Sequence, residues 1–338
     1  MKKFFTLSCV LLILFFACKK STKNDDDTTG MVETPIALNI PPFFPNMVIP
    51  EDNQMTAERL SLGRKLYYDP ILSNNGRSCS SCHLQEMGFT SNVTSGFTVL
   101  PHINLGWNHH FLWQGGESGH LEDVMMFEVN DFFATDINKL NADETYKALF
   151  KKAYGVKEIS SKNVAYALAQ FFRSMISGNS KFDKYRSGEA TLNISEMRGM
   201  NIFYSEKGDC FHCHGGMLFT DNDFHNTGLD ATFAQGNQGR YEVTKNPNDI
   251  GLYKTPTLRN SGVRQQYMHD GRFTTLLQVI DFYNDGFHKN SPNIDPLMIL
   301  PEKENGLQLT AQDKADLVAF LNTLTDTNFL SDTTLSHP

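Results

Sequence analysis

The chain has 338 residues, 40% of them hydrophobic and 20% charged, with 24 Gly and 13 Pro. This is the composition of a folded protein long enough for two cores, and it excludes disorder and collagen-like repeats. Lys and Arg number 30 against 38 acidic residues, a net charge of −8, and no basic cluster occurs beyond the first 23 residues. A nucleic-acid partner gripped through its phosphates is thereby excluded.

Residues 1–17 read as an export signal: Lys2 and Lys3 precede an apolar run from Phe4 to Ala17, too short to span a bilayer, that stops at Cys18. Cleavage before Cys18 and lipidation of that cysteine predict a periplasmic or cell-envelope lipoprotein whose membrane contact is the lipid anchor alone. Residues 18–45, rich in Lys, Asp and Thr at their start, predict a tether. Folded domains are expected over 46–187 and 188–330, with the boundary at Ser187-Gly188-Glu189.

The first helix is expected after Thr56, with Leu60, Leu62, Leu66 and Tyr67 in helical spacing. A second is expected from a Ser161 cap to Gly178, carrying Val164, Leu168, Phe171, Phe172 and Met175 on one face. A third spans Ile194 to Phe203. The last begins at Thr310, with Asp313 completing a capping box and Leu317, Phe320, Leu321 and Leu324 on one face. Strand signals are weak, so the expected fold is all-α: two small helical domains with long loops.

Of six cysteines, four remain once Cys9 and Cys18 are set aside. They form Cys79-Ser80-Ser81-Cys82-His83 and Cys210-Phe211-His212-Cys213-His214. CxxCH is the attachment signature of c-type haem: two thiols a helical turn apart bond one porphyrin edge, and the adjacent imidazole reaches the iron. A zinc site would need closer pairs, and a redox dithiol would sit in a βαβ setting, which is missing. Two covalent haems follow, ligated by His83 and His214. The segments LGRKLYYD and GMNIFYSEKGD precede the two motifs in parallel, as expected of a duplicated cytochrome c domain.

The segments LGRKLYYDPILSNNGRSCSSCH, ALAQFFRSMISGNSKFDKY, CFHCHGGMLFTDNDFHNTGL and YKTPTLRNSGVRQQYMHDGRFTTLLQVIDFYNDG resemble the bacterial dihaem cytochrome c peroxidase and MauG family. The resemblance implies a peroxide-reacting first haem and a second haem that takes electrons from a small reduced cytochrome c or cupredoxin. It implies Tyr283 as the second ligand of the second iron, with Met268 and Met298 as sulfur alternatives. It also implies Trp113 as an electron relay, Arg259 with Asn260 as partners for haem propionates, and calcium held through Asn104, Thr255 and Thr257. A homodimer is compatible with it.

The departures lie in the peroxide half. Where the family follows the tryptophan segment with a Pro and a Glu-Met pair, this chain has MMFEVNDFFATD, and the resemblance sets the family's catalytic glutamate at Phe133, which leaves Glu128, Asp131 or Asp136 to move the proton, with Asp131 preferred. His102, His109, His110 and His120 share the preceding loop, and His102 and His109 are the candidates for proton relay or iron capping.

Overall fold

Two similar helical halves make up the computed structural model, which describes residues 30–92, 96–301, 303 and 305–338. The expected signal segment and Cys18 lie outside these residues. Helices α1 (Ala57–Tyr68), α2 (Leu121–Phe127), α3 (Ile137–Ala142), α4 (Glu144–Tyr154) and α5 (Ser161–Ser174) build the first half. Helices α6 (Lys181–Arg186), α7 (Ile194–Phe203), α8 (Phe211–His214), α9 (Tyr241–Thr244), α10 (Leu276–Asp281) and α11 (Ala311–Asn322) build the second, and α12 (Thr327–Leu330) closes the chain. Two-residue strands pair antiparallel, β1 (His110–Phe111) with β2 (Glu117–Ser118) and β3 (Phe224–His225) with β4 (Tyr253–Lys254). No helix among the described residues is long and apolar enough to cross a membrane.

The same packing recurs in both halves. α1 lies on α5, and α7 lies on α11. Each crossing is made at a glycine, Gly63 against the Ala167 carbonyl and Gly199 against the Asp316 carbonyl, where a Cβ would overlap the facing backbone. Leu66 and Tyr67 after the first glycine, and Phe203 after the second, are fully buried.

Local chemistry sets the helix ends. Thr56 Oγ accepts from Arg59 N, and Thr310 forms the expected box with Asp313. The α5 cap is Ser160, one residue before the expected Ser161, because Ser160 and Asn163 exchange hydrogen bonds. α5 ends at Ser174, short of Gly178. Beyond it, Ser177 binds the Asn104 side chain, and Asp326 accepts from Gly178 N and Asn179 N, so side chains replace helical hydrogen bonds.

Core packing moves the changeover between halves from 187 to 176–181. Phe182 already belongs to the second core, packed on Phe219 and Phe320, while Phe329 and Leu335 return to the first. The expected tether is also shorter. Thr34 is bonded to Glu58, and the Phe44 ring lies between Trp107 and the Arg259 guanidinium, so the chain is docked well before residue 45.

Candidate functional site: two cavities and their partition

Each CxxCH opens onto a cleft, and the two clefts enclose about 1850 and 1840 Å³ including their open mouths. The first is lined by Cys79, Cys82 and His83, the second by Cys210, Cys213 and His214. His83 Nδ1 donates to the Phe89 carbonyl at 2.8 Å, and His214 Nδ1 to the Phe219 carbonyl at 3.0 Å. That leaves each Nε2 free to bind iron. Burial holds both imidazoles down at about 4, hence neutral and ligand-ready. Both phenylalanines are fully buried at positive φ (55° and 53°), an uncommon conformation that turns each carbonyl back to its histidine. The sequence carries this as a second internal repeat, Met87-Gly88-Phe89-Thr90 and Met217-Leu218-Phe219-Thr220, which the motif reading passed over.

The residues present fit two haems. Lys254 is buried with no carboxylate at ion-pairing distance among the described residues, and Arg264 Nε and Gln266 Oε1 are buried without partners at the second cavity. Burial pulls Lys254 down to about 8 and Arg264 to about 10. Buried cations without counter-ions are costly, and propionates supply the missing charge.

Arg259 is corrected by the same logic. Its guanidinium is fully buried, bidentate to Asp183 at 2.8 and 2.9 Å and bonded to the Met217 carbonyl, and it lines neither cavity. It ties α6 to the second half, with its carboxylate-binding fork already facing Asp183. Asn260 likewise spends its amide on Ser177 and Asp326 N.

Each cavity is closed by a helix that ends in a π-helical turn: α2 runs into Glu128–Phe132, and α10 into Phe282–Gly286. Such turns insert one residue and re-aim side chains. The two segments superpose in sequence as LEDVMMFEVND and LLQVIDFYNDG, which sets Glu128 in register with Tyr283. Glu128 lines the first cavity, where burial, reinforced by Glu117, lifts its carboxyl to about 7. Tyr283 lines the second, where burial raises its phenol. Met268 and Met298 line that cavity too.

The remaining predicted residues separate. Asp131 is exposed and lines neither cavity, because the π turn directs Glu128 inward and Asp131 outward. Asp136 caps α3, and Phe133 is a buried cavity wall. His102 lines the first cavity, yet its ring stacks face to face on His83 (3.3 Å between centroids, 14°). A ring beside the proximal ligand is on the wrong face to cap that iron. His109 is exposed and accepts from Asn222 Nδ2, outside both cavities. His120 is exposed at the start of α2.

Trp113, Thr98, Val99, Lys254 and Pro256 line both cavities and form the partition between them. Trp113 is pinned at both ends: its Nε1 donates to the Thr98 carbonyl, and its own carbonyl accepts from Lys254 N, each at 2.8 Å. The calcium set is not gathered here. Asn104 spends its amide on Ser177, the Thr257 hydroxyl donates to Leu218, and the carbonyls of Thr255 and Thr257 accept from the cationic side chains of Lys254 and Arg264. Hard-cation sites gather free oxygens, and these oxygens are taken.

Residues 57–191 match the family model described as di-haem cytochrome c peroxidase. The methylamine utilization protein MauG of Methylorubrum extorquens is 32% identical over 292 residues, covering 81% of this chain and 80% of its own. The cytochrome c551 peroxidase of Nitrosomonas europaea is 31% identical, covering 71% of this chain and 76% of its own. The crystal structure of a MauG-like protein associated with microbial copper homeostasis superposes with a TM-score of 0.82 at 32% identity, over 90% of this chain and 99% of that one.

Proposed function

Because the chain belongs to the di-haem cytochrome c peroxidase family, we propose that it reduces hydrogen peroxide to water at the first haem, with electrons entering through the second. The observation that carries this is that each π turn sends one ionisable side chain into its cavity, Glu128 into the first and Tyr283 into the second. The duplication holds a phenol at the second cavity and a carboxyl at the first, so one site is built to be filled by a ligand and the other to move a proton.

The haems, bound through Cys79, Cys82, Cys210 and Cys213, supply the redox chemistry, with His83 and His214 as proximal ligands. The chain's own residues do the rest. The Glu128 carboxylate takes the proton of entering peroxide and returns it to the departing oxygen, and a group near 7 suits both halves of that task. Phe132 and Phe133 wall the site with apolar surface. Lys254 and Arg264 hold anionic cofactor groups, and Trp113, held rigid between the cavities, passes electrons across. The donor is a small reduced cytochrome c or cupredoxin. Export, lipidation at Cys18 and homodimerisation belong to this proposal on sequence grounds alone.

A second reading, a MauG-like oxidase that draws electrons from a protein or organic substrate, is favoured by Tyr283, since phenolate ligation stabilises the oxidised iron. Mixing the chemically reduced holoprotein with one equivalent of peroxide in the stopped flow tests the main reading. Rapid oxidation of both haems with water as product is expected; haems left reduced overturn it.

A further inference from the structure

Residues 34–50 read TPIALNIPPFFPNMVIP, 17 positions with no charged side chain and five prolines. They form a strap that touches both halves, and its inner side is pinned. Thr34 is bonded to Glu58, Ile36 N donates to the Met55 carbonyl, and Pro41 abuts Gly178. Phe44 lies between Trp107 and Arg259, and the Pro45 carbonyl accepts from Trp107 Nε1 at 2.8 Å.

The outer side is apolar and open to solvent. Phe43 is 55% exposed and Val48 63%, and Val32 and Ile40 are exposed with them. Four of the eleven exposed large hydrophobic side chains among the described residues thus fall within the 17 positions from 32 to 48. Scattered single side chains of this kind are ordinary on a protein surface; a run of them marks a contact. None of the four lines either cavity, so haem in the clefts does not cover them. The prolines narrow what does: they lack the N–H that a pairing β-strand needs, so the strap is covered through its side chains and not along its backbone. Cations flank it. Gly30 and Val32 lie against the exposed Lys151 and Lys152, and the exposed Arg186 stands over the Phe43 ring.

Chain length says which surface is within reach. Twelve positions separate Cys18 from Gly30, and that much chain spans at most about 40 Å. A lipid on Cys18 therefore keeps the strap close to a bilayer at all times, and at such an effective concentration weak contacts suffice. We propose that the outer side of the strap is a bilayer-contact surface, with Val32, Ile40, Phe43 and Val48 entering the headgroup region of the membrane that holds the anchor. The extended backbone stays at headgroup level, where water still serves its polar groups, because irregular backbone is not stable in hydrocarbon. Only the side chains go deeper. Lys151, Lys152 and Arg186 meet the phosphates of anionic lipids. The anchor fixes location and the strap fixes orientation, so the body does not turn freely about its tether.

This inference rests on lipidation at Cys18, a part of the proposed function, and one experiment separates the two. With Cys18 acylated and four thiols joined to haem, Val48→Cys introduces the sole reactive thiol of the mature holoprotein, and a nitroxide attached there reports immersion by electron paramagnetic resonance. The labelled, lipidated protein is mixed with vesicles of phosphatidylethanolamine and phosphatidylglycerol and recovered by flotation. On vesicles the label should gain access to oxygen and lose access to an aqueous nickel chelate, a change of about threefold or more in their ratio. The same label at Ile194→Cys, also exposed but on α7 away from the strap, should not change. Adding Phe43→Glu to Val48→Cys should reverse the immersion while flotation and the haem spectrum persist. Floating protein whose Val48→Cys label stays open to the nickel chelate overturns this inference alone, as does a label shielded from both reagents, the mark of a protein contact. Protein that does not float overturns it together with the anchor.

Discussion

Replacing Glu128 by Gln should make the protein slower and more stable at once. Burial lifts this carboxyl from 4.5 to about 7. A proton held more tightly in the folded chain than in the unfolded one means that stability falls as pH rises from about 4.5 through 7, and the full cost is present above 7. Discounted for the partial exposure of the side chain, that cost is about 1–3 kcal/mol. The neutral amide escapes it, so Glu128→Gln should melt higher than the parent at pH 8 and show little difference at pH 4. The same change removes the proton carrier, a loss of roughly 10² to 10⁴ in the rate of peroxide cleavage, equivalent to about 3–5 kcal/mol of barrier. The parent's rate should rise with pH to a plateau through an inflection near 7, and the variant's should be flat. Stopped-flow rates at several pH values and thermal melts of the same samples, each checked for two bound haems, read both effects. A variant that keeps its rate within threefold, or keeps the inflection, refutes the assignment of Glu128.

Tyr283→Phe should change the ferric optical spectrum of the second haem, and Tyr283→Met should raise its potential in a spectroelectrochemical titration; an unchanged spectrum removes Tyr283 from the iron. Arg259→Leu should destabilise by about 3–5 kcal/mol by stranding buried Asp183 while leaving both haem potentials in place, whereas Arg264→Leu should shift the second haem's potential, so titrations and melts of the two variants separate an internal strut from a propionate partner. Gly199→Ala gains roughly 1 kcal/mol of helix propensity but drives a methyl into the Asp316 carbonyl, an overpacking cost of about 1–3 kcal/mol; a lower melting temperature is expected, and an unchanged or higher one shows that α7 and α11 are not in backbone contact.

How far the sequence could be read depended on the span of each signal. The attachment motifs, the Thr56 and Thr310 caps and the apolar faces of α1, α5, α7 and α11 involve neighbours a few residues apart, and periodicity exposes them. The role of Arg259 was hidden because its partner Asp183 is 76 positions away, so nothing within TPTLRN tells a paired arginine from a cofactor partner. Arg264, five positions on, has the orphaned nitrogen that the expectation needed. His102 was hidden differently: its loop position suggested the open side of the iron, and only the stacking on His83 assigns it to the proximal side.

The proposed proton carrier, Glu128 rather than the preferred Asp131, is reached from the sequence by another ruler. Laying the family's Glu-Met segment on MMFEVNDFFATD leads to Phe133, five positions past Glu128, a gap wider than the single residue a π turn inserts. An ungapped overlay of the two halves, LEDVMMFEVND on LLQVIDFYNDG, leads elsewhere: it pairs Leu121, Val124 and Phe127 with Leu276, Val279 and Phe282, and sets Glu128 beside Tyr283. The same comparison pairs Gly63 with Gly199 and Phe89 with Phe219, positions where backbone geometry tolerates little change. Duplication thus holds the scaffold constant around the two CxxCH motifs, and in the proposed function the difference between the two sites is carried by Glu128 and Tyr283, one side chain on each π turn. In such a chain the internal repeat is a sharper guide to chemistry than distance along the sequence, since it compares positions that share one geometry and differ only in what they carry.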